Sequence, residues 1–265
     1  MHTPSKLFSR DYTRLSLEEE KEKQQYIEKP VDLTAIRTPD SFPYAVHHNC
    51  SLFPNNYILL REFKDTQNLE ELNNRFDDLI HREGTLERQV LNFINQTPAY
   101  HIVASILMDR FPFGHHECYL FKEFWLGDKF RTDHLLIGKG SGGYEFVLVE
   151  FEKPDGYITL KNGYWGAAFR NGEYQVRDWK AWLEGNYNVF IEDLLSVAQG
   201  TELPTDIQKY DSTRFHYVVI AGLRDDFSDT TYRERRAKMK ESDIHLLHHD
   251  NLLDNARTLL QRDTF

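Results

Sequence analysis

The run at residues 144–152, YEFVLVEFE, constrains this chain more than any other segment. It is rich in β-branched and aromatic residues and reads as a strand. Side chains alternate faces along a strand, so Phe146, Leu148, Glu150 and Glu152 share one face. Val147, Val149 and Phe151 share the other. Two carboxylates therefore end an otherwise apolar face. Neighbouring buried carboxylates are costly unless something positive joins them. A divalent metal meets that need, and hard cations such as Mg2+ take oxygen ligands.

The preceding residues, 130–137, read as the partner strand. If the Gly-rich segment 138–143 (GKGSGG) is the hairpin loop, Ile137 pairs with Tyr144. Asp133 then falls opposite Leu148 and is a diagonal neighbour of Glu150, roughly 7–8 Å away. A one-residue slip would move Asp133 to the wrong face. A helix is expected over 173–184, where Gln175, Trp179 and Trp182 share one face. The tryptophans would pack on the sheet. Gln175, in the first turn, would point to the sheet's end and orient a ligand or the attacking water. The segment GKGSGG joins two strands and lacks the strand–loop–helix context of a phosphate cradle.

The regular pattern starts near residue 85, with Thr85 as helix cap and Gly84 as the boundary. Residues 1–84 read as an irregular accessory region and 85–265 as the main domain. Within 1–84, residues 15–25 read as helical or mobile, 57–63 as a strand and 69–81 as a helix. The C-terminal part reads strand (215–221), helix (230–240), strand (244–248) and helix (251–261). That alternation implies parallel pairing through a crossover helix, hence an α/β sandwich. No apolar run reaches the ~20 residues of a bilayer span, and the first ten residues carry no signal-peptide core. Cys50 and Cys118 are too few for a disulfide framework and are expected to be free buried thiols of a cytoplasmic protein.

The net charge of -10 argues against coating nucleic acid by bulk electrostatics but leaves room for a local basic patch. Lys153, Lys161 and Arg170 flank the carboxylates in sequence and are candidate phosphate contacts. Arg235 and Arg236 lie in a basic helix that reads either as a solvated face or as a phosphate-contacting one. The His115–His116 and His248–His249 pairs are poor chelates, because adjacent strand residues point to opposite faces. Asp250 is expected to cap the last helix.

The segments 125–133 (WLGDKFRTD), 146–154 (FVLVEFEKP) and 172–184 (GEYQVRDWKAWLE) resemble the PD-(D/E)XK nuclease superfamily. More narrowly, they resemble the Shedu family of bacterial antiphage defence proteins. The similarity continues through 217–226 (YVVIAGLRDD), 232–236 (YRERR) and 247–255 (LHHDNLLDN), and so covers roughly residues 85–265. The resemblance implies a restriction-endonuclease-like mixed sheet flanked by helices. It implies an endonuclease or nickase acting on DNA, with Mg2+ as cofactor and Mn2+ as a substitute. Asp133 and Glu150 would be metal ligands, Glu87 a supporting acid from the first helix, and Gln175 the polar residue of the later helix. A homo-oligomer, dimer or tetramer, is also implied. One position departs from the pattern. The superfamily usually has Lys two residues after the Glu, where this chain has Glu152. Glu152 would then be a metal ligand or the general base, and Lys153 could be turned inward by a bulge at Pro154. The alternative is a catalytically weak or inactive member that binds or senses DNA. A third reading, an interaction or regulatory protein that uses the fold without nucleic acid, also stays open.

Overall fold

Nearly continuous apolar runs that are buried on both faces need cover on both faces, and the structure supplies it. The computed structural model describes residues 7–28, 43–64, 66–109, 111 and 113–262. The strands are β1 (Glu117–Lys122), β2 (Trp125–Leu126), β3 (Phe130–Arg131), β4 (His134–Gly140), β5 (Gly143–Phe151), β6 (Phe215–Ile220) and β7 (Ile244–Leu247). The helices are α1 (Leu17–Glu28), α2 (Tyr44–Cys50), α3 (Thr66–Ile80), α4 (Glu87–Gln96), α5 (Tyr100–Ala104), α6 (Ala167–Leu195), α7 (Asp229–Glu241) and α8 (His249–Leu259). The main sheet runs β1-β4-β5-β6-β7, and β2 and β3 form a separate ribbon. β4 is antiparallel to β1 and β5, while β5, β6 and β7 are parallel. The fold is thus a mixed α/β one, with the expected crossover helix, α7, between the parallel strands β6 and β7.

Two apolar clusters sandwich the sheet. Val147, Val149 and Phe151 face α3, α4, α5 and α8 through residues such as Phe76, Val90, Ile102 and Leu253. Phe146 and Leu148 face α6 through Phe169, Val176, Trp179 and Phe190. The alternation read from residues 144–152 therefore corresponds to two different layers of helix. Helix α3, from the N-terminal third, packs on α8 and shares the first cluster with the sheet.

Several local expectations are corrected. The β4–β5 hairpin has a two-residue turn, because Gly140 pairs with Gly143. Ile137 accordingly faces Phe146, not Tyr144. The glycines do not end the strand. Gly138 is needed inside it, because a Cβ there would meet Phe113 Cδ2 at 2.4 Å. The register differs from the expected one by two residues, which preserves which side chains share a face. Helix α6 starts at Ala167, ahead of the start expected at residue 173. Residues 57–63 form no strand. Tyr57 makes a single bridge to Tyr119, and Ile58 N–H donates to the Cys118 carbonyl at 2.8 Å. This contact covers the β1 edge, which would otherwise expose unpaired backbone groups. Thr85 does not cap α4. Its hydroxyl donates to the Leu79 carbonyl at 2.8 Å, and Leu86 occupies the cap position. Asp250 lies within the first turn of α8, with His248 at the cap. Both cysteines are free, but only Cys118 is buried. Among the described residues no helix is long and apolar enough to cross a membrane.

Candidate active site

Glu150 lies near the C-terminal end of β5, and Glu152 follows just beyond it. They are only 4% and 8% exposed, on the face covered by α6. The strand geometry continues past its formal end, since Glu152 N–H donates to the Ile220 carbonyl of β6 at 2.8 Å. Asp133 sits in the bend between β3 and β4. One step beyond the His134–Val149 pair, it comes level with Glu150. Its Oδ2 accepts the Phe151 N–H at 2.7 Å, and its carbonyl accepts the Glu123 N–H at 2.8 Å. Asp133 is therefore held to the very strand that carries the two glutamates.

Helix α6 closes the site from above. Gln175 is largely exposed, yet its Nε2 donates to Glu150 Oε1. The helix approaches this closely because residue 172 is glycine. A Cβ on Gly172 would meet Val219 Cγ1 at 2.6 Å and Glu152 Cγ at 3.3 Å. The Gly172 backbone N–H also favours the charged form of Glu152.

The charges in this site repel one another. Burial pushes the Glu150 carboxyl far above its ordinary range, and the charges of Asp133, Glu87 and Glu152 push it further. Asp133 is likewise raised, first by burial and then by Glu87, against the lowering effect of the Phe151 N–H and Arg131. Glu152 is pushed up to about 7 by burial and by the charges of Glu87 and Asp133. Glu87, half-buried in the first turn of α4, is raised by burial alone. These four carboxylates from three separate stretches of chain thus share one electrostatic neighbourhood.

The donor set is all oxygen, which suits a hard divalent cation. Among the described residues, however, no three His, Cys, Asp or Glu side chains converge tightly enough to make a ready-formed cage. The arrangement fits an ion of the Mg2+ kind, which keeps several waters and uses only one or two protein carboxylates.

The remaining candidates divide clearly. Lys153 faces solvent and pairs with Asp155 at 3.1 Å, so it does not turn in toward Glu152. Lys161, Arg170 and Arg236 are exposed. Arg235 is mostly covered, and its Nη2 lies 3.8 Å from Asp109. His115 and His116 are exposed with ring centroids 4.3 Å apart. His249 is fully buried and its Nδ1 lies 3.0 Å from the Gly222 carbonyl. Neither pair joins the carboxylates.

Sequence reasoning missed Gly172 and Glu173. Buried Glu173 accepts from Lys238 Nζ at 2.7 Å and pairs with Arg177 at 2.6 Å, which ties α7 to α6. The signal was present in Lys238, a cation on α7 with a hydrophobic stem to bury, but nothing in the sequence names its partner.

The family model of the Shedu protein SduA C-terminal region matches residues 18–253. The chain belongs to this family. The match to the Shedu model runs from α1 into the first half of α8 and includes all four carboxylates. No curated protein matches the chain.

Proposed function

We propose that this Shedu protein is a divalent-metal-dependent DNA endonuclease or nickase of antiphage defence, with a PD-(D/E)XK-type site. Family membership supports a nuclease-type activity in defence. The carrying observation is the cluster of Asp133, Glu150, Glu152 and Glu87, with Gln175 bonded to Glu150. Acids held above their ordinary pKa, first by burial and then for three of them by one another's charge, are what a site organised around something positive contains. Asp133 and Glu150 are the proposed ligands of Mg2+, with Mn2+ as a substitute and Glu87 in support. The bound ion would lower the pKa of a water and neutralise charge developing on the phosphate.

The chain's own groups supply the rest. The Phe151 N–H holds the Asp133 carboxylate in place, and the Gln175 amide fixes the rotamer of Glu150. Glu152, with a pKa near neutrality, is the group suited to take the proton of the attacking water. It would fill the place that lysine holds in the usual pattern. Lys161, Arg170 and Arg236 are the proposed contacts to the DNA backbone. Assembly into a homo-oligomer would gather such patches despite the acidic monomer.

A nicking assay on supercoiled and linear DNA, in Mg2+ or Mn2+ against chelator, tests the reading. The wild-type protein should cut only with metal, and Glu150→Gln should abolish cutting while its melting temperature is retained. Metal-independent cutting, or cutting by Glu150→Gln at the wild-type rate, overturns it. The competing reading is a member that grips DNA without cutting, and it draws on the absence of a three-ligand cage among the described residues. Tight DNA binding with no cleavage in either metal would favour that reading.

A further inference from the structure

Between Glu152 and α6 the chain makes a short hairpin. Thr159 bridges to Trp165, and Leu160 N–H donates to the Tyr164 carbonyl at 2.8 Å. Gly163, at φ +85°, makes the turn. At the base, Gly166 N–H donates to the Ile158 carbonyl at 2.7 Å, and a Cβ on Gly166 would meet the Tyr157 carbonyl oxygen at 1.8 Å. Ile158 is fully buried, Trp165 packs on Phe169 at 4.3 Å, and the Thr159 and Thr231 hydroxyls lie 2.6 Å apart. The hairpin is thus pinned to both α6 and the start of α7.

What this rigid element displays is unusual for a solvated loop. Tyr157 is 80% exposed, Tyr164 72%, and Tyr174, about two turns into α6, 60%. None of the three stacks on another ring among the described residues. Exposed cations lie on the same elements. Lys161 is at the tip, Arg170 lies one helical turn before Tyr174 on the same face of α6, and Arg233 lies across a pocket of about 450 Å3 that the hairpin forms with α7. Tyr174 is next in sequence to Gln175, which bonds Glu150, so the same stretch of α6 serves both this surface and the carboxylate site.

We infer that the hairpin and the first turns of α6 form a stacking platform for an unpaired nucleic-acid strand. The substrate presented to the adjacent site would then be DNA with a single-stranded segment, a frayed end or a flap. This rests on the nuclease reading for its location but not for its chemistry. Exposed rings offer stacking to base faces, and a duplex hides those faces within its own stack. Lys and Arg side chains on the same elements suit the phosphates that separate successive bases. The charge complementarity is local, in a chain whose net charge is -10, which favours a defined strand path over a general basic coat. A protein partner would be met by aliphatic residues as well, and Leu160 is the only exposed one at this hairpin.

The test is fluorescence anisotropy of the full chain, in chelator so that nothing is cut, with a labelled 20-mer of thymidine and a blunt 20-base-pair duplex. The probes are wild type, Tyr157→Ala/Tyr164→Ala/Tyr174→Ala, and the matching Phe variant. The Ala variant should lose at least tenfold in affinity for the single strand and no more than about twofold for the duplex. The Phe variant should stay within about threefold of wild type on both. Loss of equal size on both probes, an Ala variant that keeps wild-type affinity for the single strand, or a wild type that does not bind the single strand each overturn the platform. The two readings fail separately. If wild type cuts no DNA in Mn2+ but the Ala variant loses the single strand selectively, the platform stands and the nuclease reading falls.

Discussion

Asp133 accepts the backbone N–H of Phe151 at 2.7 Å, so an acid from the bend before β4 is anchored to the strand bearing Glu150. The bond gives Asp133 a structural role beside its chemical one, and substitution separates them. Asp133→Asn retains an acceptor for the Phe151 N–H and removes the charge. Asp133→Leu leaves that N–H unpaired, at a cost of about 1–3 kcal/mol. Both variants should lose at least a hundredfold in cleavage rate, while only the Leu variant should show a lowered denaturant midpoint. Equal stability of the two would show that the bond contributes nothing.

The pH dependence of stability follows from the burial of Glu152 and from the charges of Glu87 and Asp133 beside it. The folded Glu152 carboxyl has a pKa of about 7, against 4.5 for the free group. Between those values the folded chain holds a proton that the unfolded chain has lost, so stability falls as pH rises through this window. In chelator, Glu152→Gln should therefore match wild type near pH 4.5 and exceed it by about 1–3 kcal/mol near pH 7.5. Millimolar Mn2+ should narrow the gap by stabilising wild type. Thermal melts at the two pH values decide it, and a difference that does not change with pH would count against the coupling.

Gly172 sets the depth at which α6 lies on the sheet. Gly172→Ala places a methyl 2.6 Å from Val219 Cγ1, and overpacking of this kind costs about 1–3 kcal/mol. The gain in helix propensity, about 1 kcal/mol, works against that loss. Cleavage should fall along with stability, because lifting the first turns of α6 parts Gln175 from Glu150. Adding Val219→Ala should relieve the clash, so that the double variant is more stable than the sum of the single effects predicts.

The basic residues of α7 should separate by phenotype. Lys238 is mostly covered and bonds buried Glu173 at 2.7 Å, so Lys238→Met should cost about 1–2 kcal/mol of stability. Arg236 is exposed, and Arg236→Ala should leave the melt unchanged. It should lower DNA affinity and reduce the steepness of its salt dependence by about one phosphate contact. Salt titrations of DNA binding with both variants check this.

The strand that carries the site was legible because burial on both faces leaves an apolar run with carboxylates only at its end. The shared face of Asp133 and Glu150 was legible too, and it survived a two-residue error in register because the side-chain period is two. The error had a physical source. Gly138 and Gly140 read as a loop, but the glycine at 138 admits Phe113, a contact made across the fold. The start of α6 was hidden for a related reason. The helix was expected only from residue 173, after Gly172, yet that glycine lies inside α6 and serves close packing against Val219. Glu87 and Lys238 could not be placed from local pattern, since only tertiary packing brings α4 and α7 to the sheet's end.

The bond from Glu152 N–H to the Ile220 carbonyl has a consequence for how the protein is made. Every acid of the site precedes residue 153, but the strand end that holds two of them is completed by β6, more than sixty residues later. Parallel pairing of β5 with β6 must wait for α6 and the connection behind it. A nascent chain thus carries all of its candidate cutting residues for several seconds of synthesis before it has a site. On the proposed nuclease reading, the site would be completed only when the sheet is, and not while the carboxylates are being made.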